Sequence, residues 1–171
     1  MTSYAVVARR FDGGSTVVRR ATLRIEDVPS WLSTTYSLIY AFLADHGRHP
    51  AGAPFARYHR IGIGRFEVEA GYPIISQVAG GSVLENSALP SEWVATTTYS
   101  GRLADIDDAY RAIASWIEEN NGERSGDPWE VYLSDPQMRT DPANWRTEIN
   151  QPYKDIGGHN RRTIDASAAA G

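Results

Sequence analysis

Two stretches of the chain, residues 42–58 and 116–132, say the same thing twice. Gly52 and Gly126, Pro54 and Pro128, and Tyr58 and Tyr132 stand at one constant offset, and an aromatic residue follows both prolines, Phe55 and Trp129. Leu32 with Ile106, Tyr36 with Tyr110 and Ile39 with Ile113 keep that offset upstream. Downstream, Glu69 with Glu148 and Pro73 with Pro152 share a slightly larger one, so the second copy carries an insertion before its last strand. Internal repetition limits the possible folds more than local propensity does. Two copies are too few for a solenoid, which needs at least three. A duplicated unit with its copies side by side is the simpler expectation.

Each copy is predicted to contain one helix. Ile106, Tyr110, Ile113 and Ile117 follow helical spacing, while Asp105, Asp107, Asp108, Arg111, Glu118 and Glu119 take the opposite face. The acids of the first turn suit the helix dipole and are better read as solvated than as metal ligands. Leu32, Tyr36, Ile39 and Leu43 form the matching stripe in the first copy, with Asp27 or Ser30 as a cap, Pro29 in the first turn and Gly47 as the stop. Packing is the default role of Tyr36 and Tyr110 on such stripes. Strands are expected at residues 16–25, 55–61 and 65–75, and again at 92–99, 129–133 and 144–153. Gly13–Gly14, Gly80–Gly81 and Gly62–Gly64 read as turns, and residues 134–144 as a loop.

The fold class expected is therefore α+β, a strand–helix–strand–strand module present twice about a pseudo-twofold axis. A curved antiparallel sheet would carry both helices on one face, with a ligand groove on its concave side at the junction. Residues 1–153 would form one domain, with copies at about 16–76 and 90–153. The aperiodic residues 154–171 would form a mobile tail.

Charge and composition exclude several function classes. A net charge of −4 argues against a dedicated nucleic-acid surface. The absence of cysteine rules out disulfides, thiolate catalysis and thiolate-bound zinc. His46, His49, His59 and His159 lack metal-site spacing, so no metal and no cofactor are expected. No Gly-x-Ser-x-Gly elbow is present. No apolar run approaches the ~20 residues that span a bilayer, and no secretory leader is visible, so a cytoplasmic protein without membrane contact is expected.

Aromatic residues are the main chemical resource. Trp93, Trp116, Trp129 and Trp145 are four of the five tryptophans, all in the second half. Strand alternation puts Glu130 and Tyr132 on one face, with Trp129, Val131 and Leu133 on the other. If neighbouring strands match apolar with apolar, Tyr132 shares a face with Glu148. A carboxylate among aromatics can pair with a cation, or act as a general base if burial raises its pKa. It can equally be a solvated side chain on a strand.

The run Gly126-Asp-Pro-Trp-Glu-Val-Tyr-Leu-Ser-Asp-Pro136, followed by Trp145-Arg-Thr-Glu-Ile-Asn-Gln-Pro152, resembles the GyrI-like small-molecule-binding domain. That domain is the effector-binding module of MerR- and AraC-type bacterial regulators and also occurs alone. Glu69-Ala-Gly-Tyr-Pro-Ile74 supplies the partner signature in the first copy, and Tyr99-Ser-Gly-Arg-Leu103 resembles the family's helix entry. The resemblance spans about residues 16–153. It implies a groove lined by aromatics with a central glutamate, which maps to Glu148. Planar aromatic small molecules, often cationic, would be the partners, held by Glu148, Tyr132, Trp129, Trp145, Trp93, Tyr99 and Tyr36. Two readings of function follow. One is a stand-alone multidrug or xenobiotic binder. The other is a cyclopropanoid hydrolase, in which Glu148 would activate water and Tyr132 would steady the developing oxyanion. A third, weaker reading is a protein-inhibiting interaction module.

Overall fold

The computed structural model describes residues 3–79, 81, 83–134 and 145–157. The first copy comprises strand β1 (Val7–Arg24), helix α1 (Val28–Asp45) and strands β2 (Phe55–Gly62) and β3 (Arg65–Pro73). The second comprises β4 (Glu85–Ser100), α2 (Asp107–Glu119), a short β5 (Gly122–Arg124), β6 (Trp129–Tyr132) and β7 (Arg146–Asp155). The strand–helix–strand–strand order thus occurs twice, with β5 added in the second pass. All pairings among the described residues are antiparallel. They run β4–β1–β3–β2–β6–β7 and return to β4, so the curved sheet closes on itself, with β5 alongside the end of β7.

The two sequence offsets reappear as strand register. Arg57 faces Glu69 across β2 and β3, and their counterparts in the second copy, Val131 and Glu148, face each other across β6 and β7. The copies meet where β2 pairs with β6, and there Ala56 faces Glu130. These two residues are themselves counterparts at the first offset, so a local twofold axis passes through that pair.

Both helices pack on one face of the sheet. Leu32 of α1 covers Ala56, Val68 and Ala70, and Ile39 and Leu43 cover Val17, Ile74, Val78 and Leu84. Ala109, Ile113 and Ile117 of α2 cover Ala95, Tyr99, Ile149 and Tyr153. Of the stripes read from sequence, Leu32, Ile39, Leu43, Ile113 and Ile117 are buried, and Tyr36, Ile106 and Tyr110 half-buried. Neither Asp27 nor Ser30 caps the start of α1 through its side chain. Ser30 instead donates to the Asp27 carbonyl. Gly47, at φ +64°, lets the chain turn out of the helix, and Arg48 N–H bonds back to the Leu43 carbonyl at 2.8 Å.

β1 and β4 begin earlier than the sequence suggests, at Val7 and Glu85 rather than near residues 16 and 92. Gly13–Gly14 is not a chain reversal. It lies inside β1, at φ +76° and +152°, between the pairs Asp12–Ser91 and Gly14–Leu89. Phe11 and Val18 join one cluster despite an odd spacing, which a regular strand would send to opposite faces. The glycines supply the twist that brings both inward. Gly71 has a different cause. A Cβ there would lie 1.9 Å from the Val17 carbonyl oxygen, so β3 approaches β1 as only glycine allows. The Gly62–Gly64 turn closes the β2–β3 hairpin as expected, with Gly64 at φ +62°. Most of the expected 134–144 loop and of the expected tail, and Gly80 of the expected Gly80–Gly81 turn, lie outside the described residues. No described helix is long and apolar enough to cross a membrane.

Candidate ligand site

Glu130 lies on the helix side of the sheet, between cross-strand neighbours Ala56, packed under α1, and Ile149, packed under α2. Four tyrosines surround it, one from each helix and one from each of the paired strands: Tyr36, Tyr58, Tyr110 and Tyr132. Tyr110 donates to one Glu130 carboxylate oxygen at 2.6 Å, and Tyr132 to the other at 3.1 Å. The Tyr132 hydroxyl also bonds that of Tyr58 at 2.6 Å. Tyr36 donates to the Phe55 carbonyl at 2.8 Å, and its ring lies 6.2 Å from that of Tyr132 and 5.7 Å from that of Tyr72. The tyrosines form two repeat pairs, 36 with 110 and 58 with 132, so the cage wall follows the local twofold. Its acid does not, because the residue equivalent to Glu130 is Ala56.

Glu130 is only 8% exposed. Among the described residues no lysine, arginine or histidine nitrogen pairs with it. Burial pushes its pKa up, and the hydrogen bonds from Tyr110 and Tyr132 partly offset that rise. The same burial, reinforced by the Glu130 charge, holds Tyr36, Tyr58, Tyr110 and Tyr132 well above the ordinary phenol range. All four therefore stay protonated at neutral pH and available to donate. A desolvated carboxylate held by hydroxyls, facing aromatic rings, is a counter-charge suited to an organic cation.

Glu148 occupies the other face. The register sets it opposite Val131, and sets Tyr132 opposite Thr147. Tyr132 and Glu148 therefore do not share a face, contrary to the apolar-with-apolar matching. That rule fails here because both faces of β7 are buried: Ile149 under α2, and Asn150 on the side away from the helices, are each 0% exposed. Glu148 is 22% exposed, paired at 2.9 Å with Arg9 and bonded at 2.9 Å by the Asn150 amide. Trp129 is fully buried on the same helix-free face, edge-on to Phe11 at 5.0 Å and clustered with Val18, Phe55, Leu89 and Val94. This cluster packs on the helix-free side of the sheet beside the Ala56–Glu130 pair.

Of the expected ligand residues, Tyr36 and Tyr132 stand at the Glu130 cage. Tyr99 is a core residue under α2, donating to the Arg102 carbonyl at 2.7 Å. Trp93 packs at the edge of that core, and Trp145 precedes β7, where its carbonyl accepts from Gly101 N–H. Glu130, Tyr58 and Tyr110, which complete this cage, were not singled out from the sequence as site residues. The signal was present: Glu130 alternates with Tyr132, and the constant offset links Tyr58 to Tyr132 and Tyr36 to Tyr110. Among the described residues no group of three His, Asp or Glu is arranged to hold a metal ion.

A family model for the GyrI-like small molecule binding domain matches residues 64–154. The chain belongs to this family. No curated protein matches it. The C-terminal domain of EcmrR superposes with a TM-score of 0.70 at 18% identity, covering 91% of this chain and all of that domain. Against the EcmrR chain in an EcmrR–DNA complex, this chain spans 58% of the length, with a TM-score of 0.73 at 18% identity. SAV2435, in a structure bound to tetraphenylphosphonium, gives a TM-score of 0.64 at 14% identity over 93% of this chain and 98% of that one. A hydrolase from Listeria innocua gives 0.65 at 8% identity over 87% and 91%. At these identities the likeness is one of fold.

Proposed function

We propose that this GyrI-like domain binds flat or bulky aromatic cations between its helices, with Glu130 as counter-ion and the four tyrosines as walls. The observation that carries this reading is a buried carboxylate bonded only by hydroxyls among the described residues. Such a group has given up hydration without gaining a cation, and an entering ligand can supply one. Tyrosine faces attract cations and stack on many ring systems, which favours breadth over selectivity. The tetraphenylphosphonium-bound neighbour of similar fold lends support. Glu148, already neutralised by Arg9, is left out of the site.

Titration with tetraphenylphosphonium, followed by calorimetry, tests the assignment. Glu130→Gln keeps the shape and removes the charge, and should weaken binding about 100-fold, the usual scale for losing one member of a buried charge pair. Glu148→Gln should change affinity by less than about twofold, as for other partly exposed pairs. The reverse ranking would return the site to Glu148. Hydrolysis is the second reading, favoured by the upward-shifted Glu130 pKa, which suits a general base. It requires ring-opened product from a cyclopropane-bearing alkylator, detected by mass spectrometry, to depend on Glu130.

A further inference from the structure

The helix-free face of the sheet holds a cleft of about 610 Å³, bordered by Arg20, Arg57, His59, Glu67, Glu69 and Asp127. Its size is that of small-molecule sites. Most of its charges are already matched. Arg20 pairs with Glu69 at 2.7 Å and also with Glu85, Ser87 donates to Glu69, and His59 bonds Asp127 at 2.9 Å. Arg57 is different. Among the described residues it has no hydrogen bond or ion pair, although Glu69 is its cross-strand neighbour, and its Nε is shut off from solvent. Its cross-strand partner on the other side, Trp129, also has a buried Nε1 without an acceptor. Buried donors are rarely left unpaired. Here two occur on adjacent residues of one face.

Repetition argues against a purely structural origin. The residue equivalent to Arg57 in the second copy is Val131, and those equivalent to His59 and Glu67 are Leu133 and Arg146. The same backbone frame therefore stands without an arginine at that position.

We propose that this cleft is a second small-molecule site, on the face opposite the Glu130 cage, taking the carboxylate of an organic acid on Arg57. A guanidinium fork matches a carboxylate in two parallel bonds. Glu67, Glu69 and Asp127 at the border disfavour a dianion, so a carboxylate binds better than a phosphate monoester of similar size.

The test uses ¹⁵N-labelled full-length protein at neutral pH and low salt, titrated with benzoate, phenyl phosphate or benzamide. Benzoate should shift the Arg57 Nε–H and Trp129 indole N–H resonances saturably. Benzamide should bind about tenfold more weakly or worse, as expected for a lost charge-assisted pair, with phenyl phosphate in between. Arg57→Gln should abolish the discrimination between benzoate and benzamide, while Glu130→Gln leaves benzoate binding unchanged. If Arg57→Gln does not fold, the benzoate–benzamide comparison on the wild-type protein still decides. Equal affinity for the two, no saturable shift with benzoate, or loss of benzoate binding in Glu130→Gln would overturn the proposal.

Discussion

Ala56 and Glu130 face each other on the local twofold and occupy the same place in the two copies. One carries a methyl group, the other a carboxylate. Around them the tyrosines are symmetric in kind: Tyr36 and Tyr110 on the helices, Tyr58 and Tyr132 on the strands. The comparison separates scaffold from specificity. Each copy contributes one helix tyrosine and one strand tyrosine to a single cage, and Glu130, whose counterpart is Ala56, is its acid. On the other face the asymmetry runs in reverse, with Arg57 in the first copy and Val131 in the second. Each copy thus carries a charge on the face where its partner has an apolar side chain.

The largest effect should come from moving the acid across the axis. Glu130→Ala alone should cost about 100-fold in tetraphenylphosphonium affinity, for the reason given for Glu130→Gln. Adding Ala56→Glu places a carboxylate at the equivalent position, with the volume vacated at residue 130 to receive it. If the cage is functionally symmetric, the double variant recovers about tenfold or more of that loss, since a restored charge-assisted contact has that size. Calorimetry on both variants reads this directly. No recovery in a folded double variant would mean that the Tyr110 and Tyr132 hydroxyls, rather than the position alone, make Glu130 effective.

The fold was largely legible in the sequence because repetition carries register. The two repeat offsets make Val131 and Glu148 the counterparts of Arg57 and Glu69, so a pairing in one copy implies the pairing in the other. The helix stripes were legible for the ordinary reason that apolar residues recur at helical spacing. The site was legible only in part. Tyr36 and Tyr132 stand at the proposed cage, whereas Glu148, the glutamate to which the family resemblance points, lies on the face opposite Glu130. Period-two alternation says which residues of one strand share a face; it does not say which face of the next strand they join. That relation is usually fixed by burying one face and wetting the other. Here Ile149 and Asn150 are both fully buried, so hydrophobicity could not orient β7. Trp129 serves the core opposite the cage, and Trp116 packs edge-on against Tyr153 at 5.6 Å.

The two positions on the axis should also differ in their response to pH. Glu130 has a folded-state pKa above its unfolded value, because burial penalises the anion. The folded state therefore holds the proton more tightly, and stability is lost as pH rises from the unfolded pKa through the folded one. Glu130→Gln removes this penalty while its amide can still bond the tyrosine hydroxyls, which both donate and accept. Its melting temperature should exceed that of the wild type at neutral pH, and the gap should close below the ordinary carboxylate range. Each pKa unit of the shift corresponds to about 1.4 kcal/mol, or roughly 3–6 °C in a domain of this size. Cation affinity should move the opposite way, falling as pH drops through the raised Glu130 pKa, because only the carboxylate attracts the ligand. Differential scanning calorimetry and binding titrations over a pH series check both signs.

The smallest effect should separate the two helix tyrosines, which repetition makes equivalent and hydrogen bonding does not. Tyr110 donates directly to Glu130 at 2.6 Å; Tyr36 donates to the Phe55 backbone. Tyr110→Phe removes a bond that favours the ionised acid, so the Glu130 pKa should rise further and cation affinity at mildly acidic pH should fall by roughly threefold to tenfold. Tyr36→Phe keeps the aromatic wall and leaves both Glu130 oxygens with their donors. It should cost stability about equal to one neutral hydrogen bond, roughly 1 kcal/mol, while the pH midpoint of binding stays in place. A common midpoint for the two variants would mean that the carboxylate reads only the burial of the cage. Separated midpoints would mean that the second copy holds the acid and, through Tyr110, also sets the pH range over which it is charged.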